Sequence, residues 1–357
     1  MKLIHCADVH LDSRMESGLP VDKAGERRLE LLRTFTRMTE QAAEDGVEAI
    51  LLCGDVFDGK TISSRAKNCV LDAIVQHPQI MFYYLQGNHD QGGFLDSISS
   101  LPDNLRTFGP DWTFYEQGDV VITGVEWPES GRDRIMERLS LQKDRINIVM
   151  LHGMAAEYGA RDQSDVFSLR QLRDRNIDYL ALGHIHSFRL ERLDERGRWC
   201  YCGCLEGRGF DECGQKGYVE LEVERGNIVP KFVPFACRNL HEVPVDITGL
   251  MTQEEIQRRI RRTVQDIPSK DMVKICLTGE TVPEAEKDVV WIQKWLEEEF
   301  YFLKVKDETL LLIHPEDYRY DVSLKGEFVR LVLASDLPDE EKREILRRGV
   351  RALEREG

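Results

Sequence analysis

Short apolar runs that stop abruptly at polar or glycine residues set the pattern of the first half of the chain. They cover residues 2–7, 49–53, 79–85, 146–151 and 178–182. Runs of this length, bounded by turn residues, predict buried strands. Amphipathic stretches separate the first three. One opens at Gly25-Glu26-Arg27 and puts Leu29, Leu32, Phe35, Met38 and Ala42 on one helical face before stopping near Gly46. The next starts at the cap pair Ser63-Ser64, turns Val70 and Ile74 inward, and ends at His77-Pro78. Strand, helix, strand, helix, strand predicts parallel βαβ units.

Farther along, residues 91–118 read as loop-rich with a turn near Gly109-Pro110-Asp111, Asp119–Trp127 as a strand, Arg132–Leu141 as a helix and Ser168–Asn176 as a short helix. Beyond residue 186 strands follow one another without helices. Phe188–Leu193 and Trp199–Cys202 flank the turn Asp194-Glu195-Arg196-Gly197, and Gly217–Glu224 and Ile228–Pro234 flank Arg225-Gly226-Asn227. These two hairpins are expected to extend the sheet in antiparallel fashion.

A first domain is expected over 1–237 and a smaller α+β domain over 238–325. The second reads as strand His241–Asp246, helix Thr252–Gln265, strand Met272–Thr278, helix Val282–Phe300 and strand Phe302–Val305. In the last segment, 326–357, the apolar run Phe328–Leu333 predicts a strand. A charged helix follows it, with Ile345, Leu346, Val350 and Leu353 on one side. That helix either packs on its own domain or docks on a partner, and the sequence leaves both open.

Composition narrows the class. A chain of 357 residues exceeds one small core, which agrees with two domains. No stretch approaches the roughly 20 apolar residues that span a bilayer. Asp8-Val9-His10 interrupts the apolar start too early for a signal peptide, so a cytoplasmic protein with no membrane partner is expected. The nine cysteines agree, and Cys6, Cys53 and Cys69 sit among apolar residues as buried thiols do. Cys200, Cys202 and Cys204 alternate and share one strand face, with Cys213 nearby. That is not the paired spacing of a zinc site, and no structural zinc is expected. A net charge of −16 argues against coating nucleic acid by charge alone. It leaves a nuclease open, because bound cations offset charge locally.

The chemistry lies where the strands end. Asp8 and His10, Asp55, Asn88 and His89, His152, and His184 and His186 each follow an apolar run, which places them on one sheet edge. Gly54 lets the backbone turn so that Asp55 is presented at the strand end. Three oxygen donors with four or five imidazoles make a mixed set suited to Mn²⁺, Fe²⁺ or Zn²⁺. The set is too large for one open site and suits two ions sharing a carboxylate, an arrangement for in-line hydrolysis of a phosphate ester. A lone histidine is more often structural. Here six of nine, at 5, 10, 89, 152, 184 and 186, fall on or beside these edges. His77, His241 and His314 fit no pattern and read as structural, and His5 lies within its strand.

Asp-x-His, Gly-Asp-x-x-Asp, Gly-Asn-His-Asp, a lone His-Gly and Gly-His-x-His, in that order, resemble the calcineurin-like metallophosphoesterases over about residues 1–235. Within them the chain is similar to the SbcD-type DNA repair nucleases. The resemblance rests on His5–Ser13, Gly54–Asp58 and the Tyr201-Cys202-Gly203-Cys204 hairpin. His-Leu-Asp-Ser is closer to the YhaO-like branch, and Cys204 stands where relatives usually carry Ser. The resemblance implies an α/β metallophosphoesterase sandwich, mixed sheets flanked by helices, with the smaller C-terminal α+β domain as a cap over DNA. It implies one metal held by Asp8, His10, Asp55 and His186, and another by Asp55, Asn88, His152 and His184. His89 would donate a proton to the leaving 3′ oxygen, oriented by Asp58. Arg14, Lys60, Arg65 and Lys67 are candidate DNA contacts, with surface solubility an equal explanation.

The expected activity is therefore that of a Mn²⁺-dependent DNA nuclease. By resemblance it acts as an exonuclease on duplex ends and an endonuclease on single strands, with an SMC-like coiled-coil ATPase partner and a homodimeric state. Two alternatives stand beside it. One is the same chemistry on a small phosphoester; the other is a DNA-end-binding subunit without catalysis.

Overall fold

The computed structural model describes the chain except residues 16–17, 60, 91–92, 127–131, 158–164, 225–226, 283–284, 313–314 and 355–357. It divides into two units, Met1–Asn239 and Leu240–Gly357.

The first unit begins with β1 (Lys2–Cys6), α1 (Val21–Glu44), β2 (Ala49–Cys53), α2 (Ser64–Gln76) and β3 (Met81–Leu85). Next come β4 (Leu105–Thr107), β5 (Thr113–Gln117), β6 (Val120–Gly124), α3 (Arg132–Glu137) and β7 (Ile146–His152). The short β8 (Met154–Ala156) and β9 (Val166–Ser168) precede β10 (Tyr179–Gly183). Two hairpins follow, β11 (Arg189–Arg192) with β12 (Arg198–Tyr201), and β13 (Gly217–Glu224) with β14 (Asn227–Pro234).

Among the described residues these strands form two six-stranded sheets, ordered β14-β13-β1-β2-β3-β4 and β11-β12-β10-β7-β6-β5. Both are mixed: β1–β2–β3 and β6–β7–β10 run parallel, while β13 joins β1 antiparallel. The hairpins do not extend one sheet, since each goes to a different one, and only β13 joins its sheet antiparallel; β12 joins β10 parallel. Alternation along each strand explains the layering. Leu3, Ala49, Leu51 and Cys53 face the space between the sheets, where they meet Ile148, Met150, Tyr179 and Ala181. Their neighbours Ile4, Cys6, Ile50 and Leu52 face outward onto Leu31, Phe35 and Met38 of α1 and Val70 and Ile74 of α2. Strands buried on both faces read as continuous apolar runs, which is why they were visible in the sequence.

Several expectations are corrected. Leu29 is on the exposed side of α1; Phe35, Met38 and Ala42 are buried as expected, joined by Arg27 and Leu31. The loop-rich residues 91–118 also hold two short strands that were not expected; β5 is half-exposed along its length and gives little apolar signal. The helix expected over Ser168–Asn176 is a short 3₁₀ turn, Leu169–Gln171. Asp174 and Asn176, at φ 58° and 62°, are left-handed and end any helix there. The helix expected over Arg132–Leu141 is only α3, Arg132–Glu137.

In the second unit β15 (Leu240–Asp246), α4 (Gln253–Val264), β16 (Met272–Thr278), β17 (Glu280–Thr281), α5 (Val289–Leu296), β18 (Phe302–Asp307) and β19 (Leu310–Leu311) follow in order. β15, β16 and β18 make a parallel sheet, packed through Ile256, Ile260, Ile275, Ile292 and Leu296. α4 carries a full capping box from Thr252 and Glu255. α5 starts at the Asp288 cap, later than the expected Val282. The chain closes with α6 (Leu324–Ala334) and α7 (Asp339–Glu354). The strand expected at Phe328–Leu333 is thus helical. Ser323 caps it, and Val329 packs with Leu346 and Val350 of α7 at helical spacing. No helix among the described residues is long and apolar enough to cross a membrane.

Candidate metal centre

Every candidate ligand lies at a strand's carboxyl end, but the strands belong to both sheets. Asp8 and His10 follow β1, Asp55 follows β2, and Asn88 and His89 follow β3, all in one sheet. His152 ends β7, and His184 and His186 follow β10, in the other. The centre therefore straddles the seam of the sandwich. Asp8, His10, Asp55 and His184 adopt positive φ values of 50°, 48°, 53° and 101°. Non-glycine residues rarely do so, and such strain clusters at functional sites. The loop after β1 is held by Asp8 N–H donating to Gly54 O at 3.0 Å and His10 N–H to Asp55 O at 2.9 Å.

Two glycines permit this closeness. A Cβ at Gly54, whose φ is 86°, would overlap the His152 ring. One at Gly183 would overlap the Cys53 carbonyl, which accepts from His152 Nδ1 at 2.9 Å. That bond leaves His152 Nε2 to face Asn88 Oδ1 at 2.9 Å and Asp55 Oδ2 at 3.2 Å. His10 Nε2 stands 3.2 Å from His186 Nε2 and 3.9 Å from Asp55 Oδ2. His184 turns Nδ1 towards Asn88 Oδ1 at 3.3 Å and Nε2 towards Asp165 Oδ2 at 3.3 Å. Ligand atoms of Asp8, His10 and His186, and of Asp8, Asp55 and His152, converge to within 4.8 Å in each group. This nitrogen and oxygen set fits a borderline divalent cation. All seven expected ligands are brought together.

Electrostatics point the same way. Burial pushes the Asp8 carboxyl up to about 6, with His152 and His186 opposing. Burial also lowers His10 and His184, which keeps their rings neutral as ligands must be. His10 Nδ1 has no hydrogen-bond partner among the described residues. It faces Asp58 Oδ1 at 3.7 Å, too far for a bond, and that contact is electrostatic.

Beside the ligands, His89 Nδ1 lies 3.0 Å from Asp58 Oδ1, and the His89 N–H donates to Asp55 Oδ1 at 2.8 Å. His89 is exposed and Asp58 half-buried. Sequence reasoning missed four neighbours. Asp90 accepts from the N–H groups of Val56, Phe57 and Gly87 and so ties the turns after β2 and β3 together. Asp165 flanks His184. Arg208 and Glu212 flank His186, and their spacing of four within a charged, glycine-rich loop was the only signal. Of the expected nucleic-acid contacts, Arg14 and Arg65 are exposed, Lys67 is half-buried, and Lys60 lies outside the described residues.

The remaining candidates have other surroundings. His5 is buried, pushed down to about 3 by desolvation, and bonded through Nδ1 to Tyr179 Oη at 2.9 Å. His241 pairs with Asp271 at 2.8 Å, while His314 lies outside the described residues. Cys200, Cys202 and Cys204 are buried, and desolvation raises all three thiols.

The model of the calcineurin-like phosphoesterases matches residues 1–188, more than half of the chain. The chain belongs to the calcineurin-like phosphoesterase family. It is a metal-dependent hydrolase of phosphoester bonds, and the family's centre takes two divalent ions. Among relatives, the uncharacterized metallophosphoesterase YhaO of Bacillus subtilis is 27% identical, over 80% of this chain and 73% of its own. The DNA double-strand break repair protein Mre11 of Aeropyrum pernix is 26% identical, over 74% and 69%. A subunit of the nuclease SbcCD of Escherichia coli is 24% identical, over 75% and 83%. This phosphoesterase is thus similar to proteins named for DNA cleavage and repair.

Proposed function

We propose that this phosphoesterase is a Mn²⁺-dependent DNA nuclease of the SbcD kind, cutting duplex ends exonucleolytically and single strands endonucleolytically in DNA repair. The observation that carries the reading is the His89–Asp58 pair, 3.0 Å apart at the rim of a seven-residue donor set. One ion would be held by Asp8, His10, Asp55 and His186, the other by Asp55, Asn88, His152 and His184, with Asp55 shared. When bound, the ions supply Lewis acidity at the phosphoryl group and to water. Asp58 engages Nδ1 of His89, which leaves Nε2 to give a proton to the departing 3′ oxygen. His89 is 46% exposed, open enough to meet a large substrate.

The names of the archaeal and Escherichia coli relatives support a DNA substrate, and the latter's being one subunit of a larger nuclease supports a separate partner. We take that partner to be an SMC-like coiled-coil ATPase, and the nuclease to act as a cytoplasmic homodimer. The α+β domain expected over 238–325 would cap the DNA, with Arg14, Lys60, Arg65 and Lys67 meeting phosphates.

The test is hydrolysis by purified protein with Mn²⁺ of a labelled blunt duplex and of bis-p-nitrophenyl phosphate, beside His89→Ala. Duplex degradation that falls about 10²–10⁴-fold in the variant is expected of a proton donor. Cleavage of the small diester with an intact duplex, even after adding the ATPase, would replace this reading with a small-phosphoester hydrolase.

A further inference from the structure

His186 is gripped by one segment, residues 204–216. Its Nδ1 lies 2.7 Å from Glu212 Oε1, and its carbonyl accepts from Lys216 Nζ at 2.6 Å. Glu212 and Lys216 are both buried, at 6% and 3% exposure, so neither contact is diluted by water. Arg208 holds Glu212 in turn, with Nη2 at 2.8 Å from Oε1 and its backbone N–H at 2.7 Å from Oε2. The other end of the guanidinium, Nη1, lies 3.6 Å from Asp58 Oδ2. Arg208 thus stands behind both the ring of a candidate metal ligand and the carboxylate of the proton-donor pair.

We propose that Glu212, held by Arg208, is the positioning residue that keeps the His186 proton on Nδ1 and so leaves the Nε2 lone pair aimed into the centre. This rests on the reading of His186 as a metal ligand. A ligating histidine gives its other N–H to a carboxylate, which fixes tautomer and ring orientation together. A neutral imidazole with its proton on Nε2 would direct that proton at His10 Nε2, 3.2 Å away, and could not bind a cation there. Arg208 Nη2 is also 3.3 Å from His186 Nδ1. Two donors converging on Glu212 Oε1 account for that distance, because ring and guanidinium share one acceptor. The opposite assignment, with Arg208 donating to a bare Nδ1, would put the proton on Nε2. The two assignments differ in an observable.

Long-range ¹H–¹⁵N spectra of the metal-free full chain, labelled at histidine nitrogen, read the tautomer directly. The His186 signal is assigned by its loss in His186→Gln. The Nδ1–H form is expected, and an Nε2–H form in the unmodified protein would overturn the proposal without any variant. Calorimetric titration with Mn²⁺ then compares Glu212→Gln and Glu212→Ala. The amide oxygen of Gln still accepts from Nδ1–H, so that variant keeps the tautomer and most of the affinity. The Ala variant loses both, with affinity down about 10–100-fold. Unchanged affinity in the folded Ala variant would also overturn the proposal. Failure of the unmodified protein to bind Mn²⁺ would instead sink the proposed function, while the metal-free spectrum decides the tautomer by itself.

Discussion

His152 Nε2 lies 3.2 Å from Asp55 Oδ2, and each of these buried groups sets the charge of the other. Burial alone would lower the His152 ring, but the Asp55 bond and charge, with Asp8, raise it to about 9. Burial would raise Asp55, yet His152 holds it at about 2. Without a metal, the pair at neutral pH is an imidazolium and a carboxylate.

With His152 as a ligand, as proposed, metal uptake must expel its proton. Affinity is expected to rise about tenfold per pH unit between about 6 and about 9, and more steeply below about 6 where Asp8 is also protonated, with net proton release measurable by calorimetry in buffers of different ionisation heat. Uptake at pH 7 without proton release would contradict the charge state. For the metal-free fold the signs differ between partners. The raised His152 contributes fully below 6.5, and that is lost as pH rises through about 9. The depressed Asp55 contributes fully above 3.8, and that is lost as pH falls through about 2.

Gly54→Ala is expected to destabilise the protein and abolish metal binding. A left-handed backbone costs an alanine about 1–2 kcal/mol before any contact is counted. The new methyl would also meet the His152 ring and the Gly87 backbone. Thermal unfolding with and without Mn²⁺ would show a lower midpoint that metal no longer raises. A midpoint still raised by metal would mean that the turn can relax.

Arg27 is the least expected member of the core, at 1% exposure. It binds Glu30, Glu206 at 3.0 Å and the Gly207 carbonyl at 2.8 Å, while Glu206 also takes the Thr34 hydroxyl and the Cys237 N–H. Arg27→Met would leave Glu206 buried with its main counter-charge gone, at a cost of about 3–5 kcal/mol. Urea denaturation measures it. A loss below about 1 kcal/mol would show that water or repacking replaces the arginine.

Asp58→Asn should lower kcat about 10–100-fold with a smaller loss of Mn²⁺ affinity, since Asp58 engages His89 at 3.0 Å and the candidate ligand His10 only at 3.7 Å. Equal losses in affinity and rate would move Asp58 into the ligand set.

The candidate ligands were legible because each sits beside a strand so apolar that its end is unmistakable, as with Ala49–Cys53 before Asp55. What the pattern hid has physical causes. Arg27 counts as polar in any helical reading, yet its partners, 179 and 180 residues away, let it be buried. Phe328–Leu333 reads as a strand by residue type, and only the Ser323 cap and the packing of Val329 make it helical. Glu212 and Arg208 lie in a loop, where no periodicity marks a side chain as inward. That one end of two sheets holds the centre was equally hidden, because apolar runs do not announce which sheet they join.

That seam has a consequence for how the protein comes into being. Asp8 and His10 leave the ribosome before the other donors, but His186 is 176 residues behind His10, and its grip on Glu212 needs 26 more. A nascent chain lacking residues 184–216 carries donors without a centre. On the proposed ligand set, metal capture is then expected late in synthesis, a timer that starts only once residues 184–216 are in place.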